Sequence, residues 1–499
     1  MKYQSTRDAQ VRVTASQAIL SGISPDGGLY VPETLPLLSE SDIQAMAKDS
    51  YETRARKILG HFLSDFTQQE IEQCVQSAYP GRFTCQAVAP VKTLKNGTHV
   101  LELWHGPTSA FKDMALQILP HLMSVSAKHA AGGQEIAILV ATSGDTGKAA
   151  LEGFKDADKT KILVFYPENG VSSMQKRQMI TQEGNNVTVC AIRGNFDDAQ
   201  SAVKTIFTDE QIRQKLANNN CRFSSANSIN WGRLVPQIVY YFSAYADLLR
   251  DGKIGLGQKI NIVVPTGNFG NILAAYYAFR MGLPVNRFIC ASNRNRVLTD
   301  FFASGCYDRN RDFYLTTSPS MDILISSNLE RLLFELSGRD DAAVRGWMEQ
   351  LRSEGKYTVS ETVREQINAL FVGGTCDDEQ TAQTIRDTFE KDGYLCDTHT
   401  AVALHVYNEY RRTTADTTPT VVASTASAYK FPASVLTALG QTPVQEDFAQ
   451  LEQLFAISNQ PIPEPLQALQ NRPIRFTNVC DKQDMCSFVL QSLGVEQKA

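Results

Sequence analysis

From about residue 98, short apolar runs alternate with helical stretches, and this alternation limits the fold more than any other feature of the chain. The runs are Val100–Trp104, Ile136–Ala141, Ile162–Tyr166, Val187–Ile192, Ile260–Pro265, Phe288–Ala291 and Thr420–Ser424. Each is rich in Val and Ile, and each lies close to a helix-forming stretch such as Thr146–Phe154. Strands apolar on both faces must be covered on both faces, so the expected fold is α/β with largely parallel sheets. Ligands of such sheets sit at the C-terminal ends of strands, in the loops that lead into helices. The 499 residues allow two or three domains. We expect a mixed, mostly helical unit over 1–90, an α/β core over 91–445 and a helical tail over 446–499.

A net charge of −5 gives no basic field to hold nucleic acid or an anionic membrane. No run approaches the roughly 18 apolar residues of a membrane span, and MKYQSTRDAQVRV is not a secretory pattern. The ten cysteines are scattered with no C-x-x-C pair, and the seven histidines show no H-E-x-x-H spacing. These features suggest a reduced, cytoplasmic, metal-free protein.

Four strand-end loops carry the candidate chemistry. In Trp104–Leu119, Lys112 is expected about one turn into a helix starting near Thr108, beside Ala110 and Phe111. A helix start and apolar neighbours both favour the neutral amine that Schiff-base chemistry requires. The alternative is a surface lysine paired with Asp113. In Ala141–Leu151, the backbone N–H groups and the hydroxyls of Thr142, Ser143 and Thr146 could seat a carboxylate or phosphate, or simply cap a helix. A Walker A loop is excluded, because it needs Gly at 142 and Ser or Thr at 149, where this chain has Thr142 and Ala149. In Ile262–Ala278, Gly267 and Gly270 would permit close approach and positive φ, with Asn268 and Asn271 as donors and a helix from about Asn271 pointing at a phosphate. The dinucleotide fingerprint lacks its third glycine there, and a plain structural turn stays open. In Val421–Pro432, Ser424 or Thr425 could give one ligand hydrogen bond or an N-cap. A lysine, two anion seats and a neutral hydroxyl are the parts a pyridoxal-phosphate site needs.

Several segments occur together in a characteristic order: YQSTR (Tyr3 to Arg7), SPDGGLYVPE, LELWHGPTSAFKD, ATSGDTGKAA, NSINWGRLVPQ, VVPTGNFGNILAAY, SPSMDILISSNLERLLF and the STA…KF segment. In this the chain resembles the threonine synthases, within the fold-type II pyridoxal-phosphate enzymes, over nearly its whole length. Threonine dehydratases and cysteine synthases share the lysine and a phosphate loop, but not YQSTR or SPSMDI. The resemblance implies two α/β lobes with mostly parallel sheets behind a mainly helical N-terminal domain. It implies pyridoxal 5′-phosphate as cofactor and conversion of O-phospho-L-homoserine and water to L-threonine and phosphate, the last step of threonine biosynthesis, by a monomer or homodimer. Lys112 matches the Schiff-base lysine; Gly267, Asn268, Phe269, Gly270 and Asn271 match the cofactor-phosphate loop; Thr425 matches the partner of the pyridine nitrogen. Thr142, Ser143, Gly144, Asp145 and Thr146 match the loop that takes the substrate carboxylate. The family's S-T-A-H-P-x-K-F is here Ser424-Thr425-Ala426-Ser427-Ala428-Tyr429-Lys430-Phe431, and its N-x-N-D is Asn293-Arg294-Asn295-Arg296, with Arg294 and Arg296 expected at the surface. For the substrate phosphate, Ser172, Lys176, Arg177, Asn293 and Ser320 are candidates only.

Overall fold

The computed structural model describes residues 1–495 apart from Ser143, Gly170 and Ser172. In chain order the strands are β1 (Tyr3–Ser5), β2 (Tyr30–Pro32), β3 (Val91–Thr93), β4 (His99–Glu102), β5 (Glu135–Ala141), β6 (Thr160–Pro167), β7 (Val187–Arg193), β8 (Cys221–Ser224), β9 (Ile260–Pro265), β10 (Val285–Ser292), β11 (Cys306–Asp308), β12 (Lys356–Thr358), β13 (Phe371–Thr375), β14 (Thr420–Ser424) and β15 (Val479–Asp481). One sheet has the order β13-β10-β9-β14-β4-β3 and is parallel except where β3 meets β4. The other has the order β15-β7-β6-β5-β8 and is parallel throughout. The α/β expectation holds, and the physical reason is burial. All six residues of β9 and all five of β14 are buried, as only a sheet covered on both faces allows.

Two local expectations change. The run expected over Val100–Trp104 is a strand over His99–Glu102. The chain turns away before Trp104, whose ring stacks on His105 at 4.2 Å and whose Nε1 donates to Ser424 Oγ at 3.1 Å. The helix expected from Thr108 begins at Asp113, so Lys112 sits at its N-cap position and not one turn inside. Asp113 causes this shift: its carboxylate accepts from Thr108 N–H at 2.8 Å and from Thr108 Oγ1 at 2.7 Å, closing a turn before the helix. Asp113 is thereby committed to Thr108 and does not pair with Lys112.

The first 90 residues carry the helices Ala15–Ser21, Glu40–Met46, Tyr51–Phe62 and Gln68–Ala78, which make up less than half of the segment, beside the antiparallel pair β1–β2. Arg7 makes a two-pronged ion pair with Glu330, Nε to Oε1 at 2.9 Å and Nη2 to Oε2 at 2.7 Å, and the Thr6 hydroxyl joins Oε1 at 2.5 Å. Ser5 in turn donates to Asp26. The YQSTR and SPDGG segments are therefore two halves of one clasp on the helix Leu329–Leu336. Trp231, fully buried, packs against Tyr3, Phe62 and Tyr277 with ring centroids 5.5, 5.6 and 5.7 Å away. Aromatic contacts of this kind add about 0.5–1.5 kcal/mol each beyond area burial. They fix the start of the helix Trp231–Arg250, which is buried along most of its length.

The tail differs from expectation. It contains the helices Asp447–Ser458 and Met485–Leu493, but also β15, which extends the five-stranded sheet beyond β7. Met485, Val489, Leu490 and Leu493 are buried in that lobe's core, so the tail completes the lobe. No described helix is long and apolar enough to cross a membrane.

Candidate active site

Strands β4, β14 and β9 are neighbours in one sheet, so the segments at their C-terminal ends lie side by side. These segments carry Lys112, Thr425 and the Gly267–Asn271 turn. Phe111 N–H donates to the Thr425 carbonyl at 2.8 Å, and Ala110 bridges to Ala426. The Lys112 side chain turns inward. Its Nζ is 3.2 Å from Ser320 Oγ and 3.6 Å from Asp145 Oδ2, and the residue is 9% exposed. Burial holds the amine below the ordinary lysine range; Asp145 pulls it back up, while Lys430 and Arg233 add to the depression. Ser320 links this amine to the glycine turn, because a Cβ on Gly267 would stand 2.5 Å from the Ser320 carbonyl oxygen.

The loop after β5 reaches the same point from the other sheet. Asp145 opens the helix Asp145–Phe154, and its Oδ1 lies 2.8 Å from Lys430 Nζ. Burial works to raise this carboxyl, but Lys430 and then Lys112 outweigh it and hold it far below the usual carboxylate range. An anion so fixed repels a substrate carboxylate, so Asp145 does not fit the seat expected for it. It is the counter-charge of two lysines. Thr142 Oγ1 accepts from the N–H groups of Gly144 and Gly147 at 3.0 and 2.9 Å, which braces the turn and leaves only its hydroxyl proton to donate. Gly144 has φ 137°, and a Cβ there would collide with the Gln175 amide, so the backbone conformation itself requires glycine. Thr146 is half-buried. Ser143 lies outside the described residues.

In the Gly267–Asn271 turn, the positive φ expected at a glycine falls on Phe269, at 65°; neither Gly267 nor Gly270 has one. Left-handed backbone at a bulky residue is strained. Here the buried ring, packed against Phe302 and Phe371, holds it. Gly267 is required by the close approach of Ser320, as above. Gly270 starts the helix Gly270–Arg280, and a Cβ there would meet only the amide nitrogens of Asn328 and Gln237, at 3.6 and 3.8 Å. Asn271 Oδ1 accepts from Tyr240 OH at 2.8 Å and from Tyr241 OH, while its buried Nδ2 has no acceptor among the described residues. A helix start with an orphaned donor and no carboxylate partner fits a phosphate. Ser424 is saturated: its Oγ accepts from Trp104 Nε1 and Tyr394 OH and lies 3.1 Å from Thr400 Oγ1, to which its own proton can donate. Thr425, 5% exposed, has no side-chain bond to the protein among the described residues.

Residues to which the sequence pattern gives no role also reach this site. Arg233 is 3% exposed, donates to the Ala226 carbonyl at 2.9 Å, and has neither a carboxylate partner nor an acceptor for Nε among the described residues. Burial pushes its guanidinium down to about 10. Lys430 also donates to Thr108 O and Gln178 Oε1. In place of the expected His-Pro, Ser427 caps the short turn Ala428–Lys430 by accepting from Tyr429 N–H at 3.3 Å, which delivers Lys430 to Asp145. Asn293 is tied to Thr316, Ser318 and Asp322. Arg177 holds the backbone carbonyls of Leu469, Gln470 and Arg472. Arg294 and Arg296 are exposed, over the Tyr314 ring and paired with Asp300. Ser172 lies outside the described residues.

The family described as threonine synthase N terminus matches residues 2–79, pyridoxal-phosphate dependent enzyme matches 92–425, and threonine synthase, C-terminal, matches 400–489. The chain is 40% identical over 446 residues to the threonine synthase of Pseudomonas aeruginosa, which covers 89% of this chain and 92% of that one. It is 40% identical over 445 residues to threonine synthase-like 1 of Homo sapiens, spanning 87% of this chain but 59% of that protein's length. A crystal structure of PLP-bound threonine synthase from Brucella melitensis superposes with a TM-score of 0.88 at 40% identity over 99% of both chains. A crystal structure of threonine synthase from yeast gives 0.88 at 30% identity over 99% of this chain and 98% of that one.

Proposed function

The chain belongs to the threonine synthase family, and on that premise we propose that it is a lyase converting O-phospho-L-homoserine and water to L-threonine and phosphate with pyridoxal 5′-phosphate. One observation carries this: a buried amine, Lys112 Nζ, held toward its neutral form and linked through Ser320 to a donor-rich glycine turn.

Lys112 would hold the cofactor's carbonyl carbon, Gly267 through Asn271 its phosphate, and Thr425 its ring nitrogen. When bound, the cofactor supplies an electron sink that makes the substrate's Cα–H acidic. The remaining work falls to side chains. The Lys112 amine, when free, would accept the Cα proton as general base. Asp145, 3.6 Å away, stabilises the resulting ammonium, and Lys430 keeps Asp145 ionised. Thr142, Ser143, Gly144 and Thr146 remain the seat for the substrate carboxylate. Arg233, a buried cation with no acid partner among the described residues, suits the leaving phosphate. Neutral Thr425 donates to or accepts from the ring nitrogen without ionising it as an aspartate would. The scattered cysteines support a reducing, cytoplasmic setting.

The direct test is to mix purified, cofactor-loaded protein with O-phospho-L-homoserine and quantify products. Equal amounts of phosphate and L-threonine are expected; ammonia and an oxoacid instead would assign the chain a different elimination. Arg233→Met should cut kcat/KM about 10–100-fold, the value of one or two charge-assisted hydrogen bonds, mainly through KM. Initial-rate kinetics check this, and a wild-type KM would remove Arg233 from the phosphate.

A further inference from the structure

We infer that His399 is a positioning residue that sets the Lys112 amine through Ser320. The inference rests on the assignment of Lys112 above and adds a residue to that site. Asp397, fully buried, caps the helix Thr398–Thr414. Its Oδ2 accepts from the His399 backbone N–H at 3.0 Å and from His399 Nδ1 at 2.8 Å, while Oδ1 takes Thr400 N–H at 3.1 Å. With the Nδ1 proton given to Asp397, His399 Nε2 presents a lone pair, and the Ser320 backbone N–H donates to it at 3.1 Å. The imidazole is 3% exposed and packs on the Phe431 ring at 5.0 Å. The Asp145 carboxylate interacts electrostatically with it and pairs with Lys112 and Lys430.

Ser320 has no slack. Its N–H is held by His399, its carbonyl packs on Gly267, and its Oγ takes the Lys112 amine. Two residues on, Asp322 Oδ1 accepts from Asn293 Nδ2 at 2.8 Å and from Asn295 Nδ2 at 2.9 Å. A displacement of about 1 Å in Ser320 would misplace both the amine and the glycine turn, and displacements of that size cost rate steeply. The Asp397–His399 pair therefore acts on the chemistry without touching substrate.

Three variants of the cofactor-loaded enzyme test this. His399→Leu removes the acceptor, His399→Gln keeps an acceptor near the place of Nε2, and Ser320→Ala removes one oxygen from the contact with Lys112. The readouts are the pH midpoint of the visible absorbance of the bound cofactor, and kcat and KM separately. His399→Leu and Ser320→Ala should move the midpoint in the same direction by about one pH unit. They should lower kcat by about tenfold or more with KM changed less than about threefold, and His399→Gln should recover most of both. An unmoved midpoint in His399→Leu, or His399→Gln as impaired as His399→Leu, overturns the inference. If His399→Leu fails to fold, Ser320→Ala decides alone, and an unmoved midpoint overturns it. A parent enzyme without borohydride-sensitive visible absorbance overturns the Lys112 assignment itself, and the inference with it.

Discussion

Lys112→Ala protein should purify without a yellow absorbance and turn over O-phospho-L-homoserine at least about 10⁴-fold more slowly than the parent, because one substitution would remove both the proposed covalent anchor and the proposed general base. The scale follows from the site. Lys430 cannot substitute, since it is committed to Asp145 at 2.8 Å, to Thr108 O and to Gln178 Oε1. Lys112→Arg should be as inactive as Lys112→Ala, because a guanidinium stays charged and cannot exchange a covalent bond with an amino group. Absorbance before and after borohydride, with phosphate release as the rate assay, checks both variants. A Lys112→Ala protein that kept a borohydride-sensitive visible band would place the cofactor on a different lysine.

Asp145→Asn should destabilise the protein by about 3–5 kcal/mol, the ordinary cost of leaving a buried charge without its partner. The stranded charge is Lys430, 3% exposed. The sign with pH follows from the depressed carboxyl. A carboxylate held below its unfolded value near 4 contributes all of its stability above that pH and loses it as the pH falls toward the folded value. The parent should therefore melt progressively lower as the pH drops below about 4, and Asp145→Asn should lack this part of the acid loss. Asp145→Asn combined with Lys430→Gln should regain much of the stability, because a neutral hydrogen-bonded pair replaces a lone cation. It should not regain the rate, since the ammonium on Lys112 would still lack its counter-charge. Thermal melts of the three proteins at pH 3 to 8 check these outcomes; a double variant no more stable than Asp145→Asn would contradict the charge argument.

The strands that could be read from the sequence are the interior ones. β4, β5, β6, β7, β9, β10 and β14 have neighbours on both sides and largely buried faces, so they appear as mainly apolar runs. The strands that could not be read include all four edges of the two large sheets: β3, β8, β13 and β15. β3 is partly exposed along its length, and β13 reads Phe371-Val-Gly-Gly-Thr375, with only its first residue buried. At the site, Lys112, Thr425 and the asparagine–glycine turn were legible because strand ends in an α/β sheet are where ligands bind. Arg233, His399 and Lys430 were not, because their significance lies in what they lack or meet across the fold. Arg233 matters because no acid among the described residues reaches it, His399 because of the Ser320 amide, and Lys430 because of Asp145. The strain at Phe269 was equally hidden, since composition points to a glycine for that conformation.

The clasp between Arg7 and Glu330 has a consequence for how the protein comes into being. The two residues lie 323 positions apart, so at ribosomal rates the arginine waits roughly 15–65 s for its glutamate to be synthesised. Until then the first strand lacks the helix it grips, and the opening ninety residues cannot finish as a self-standing piece. Leu329–Leu336 also follows Asn328, which donates to the Asn268 carbonyl through both its backbone and side-chain amides. Closing the oldest part of the nascent polypeptide and shaping the Gly267–Asn271 turn are thus late events that arrive together.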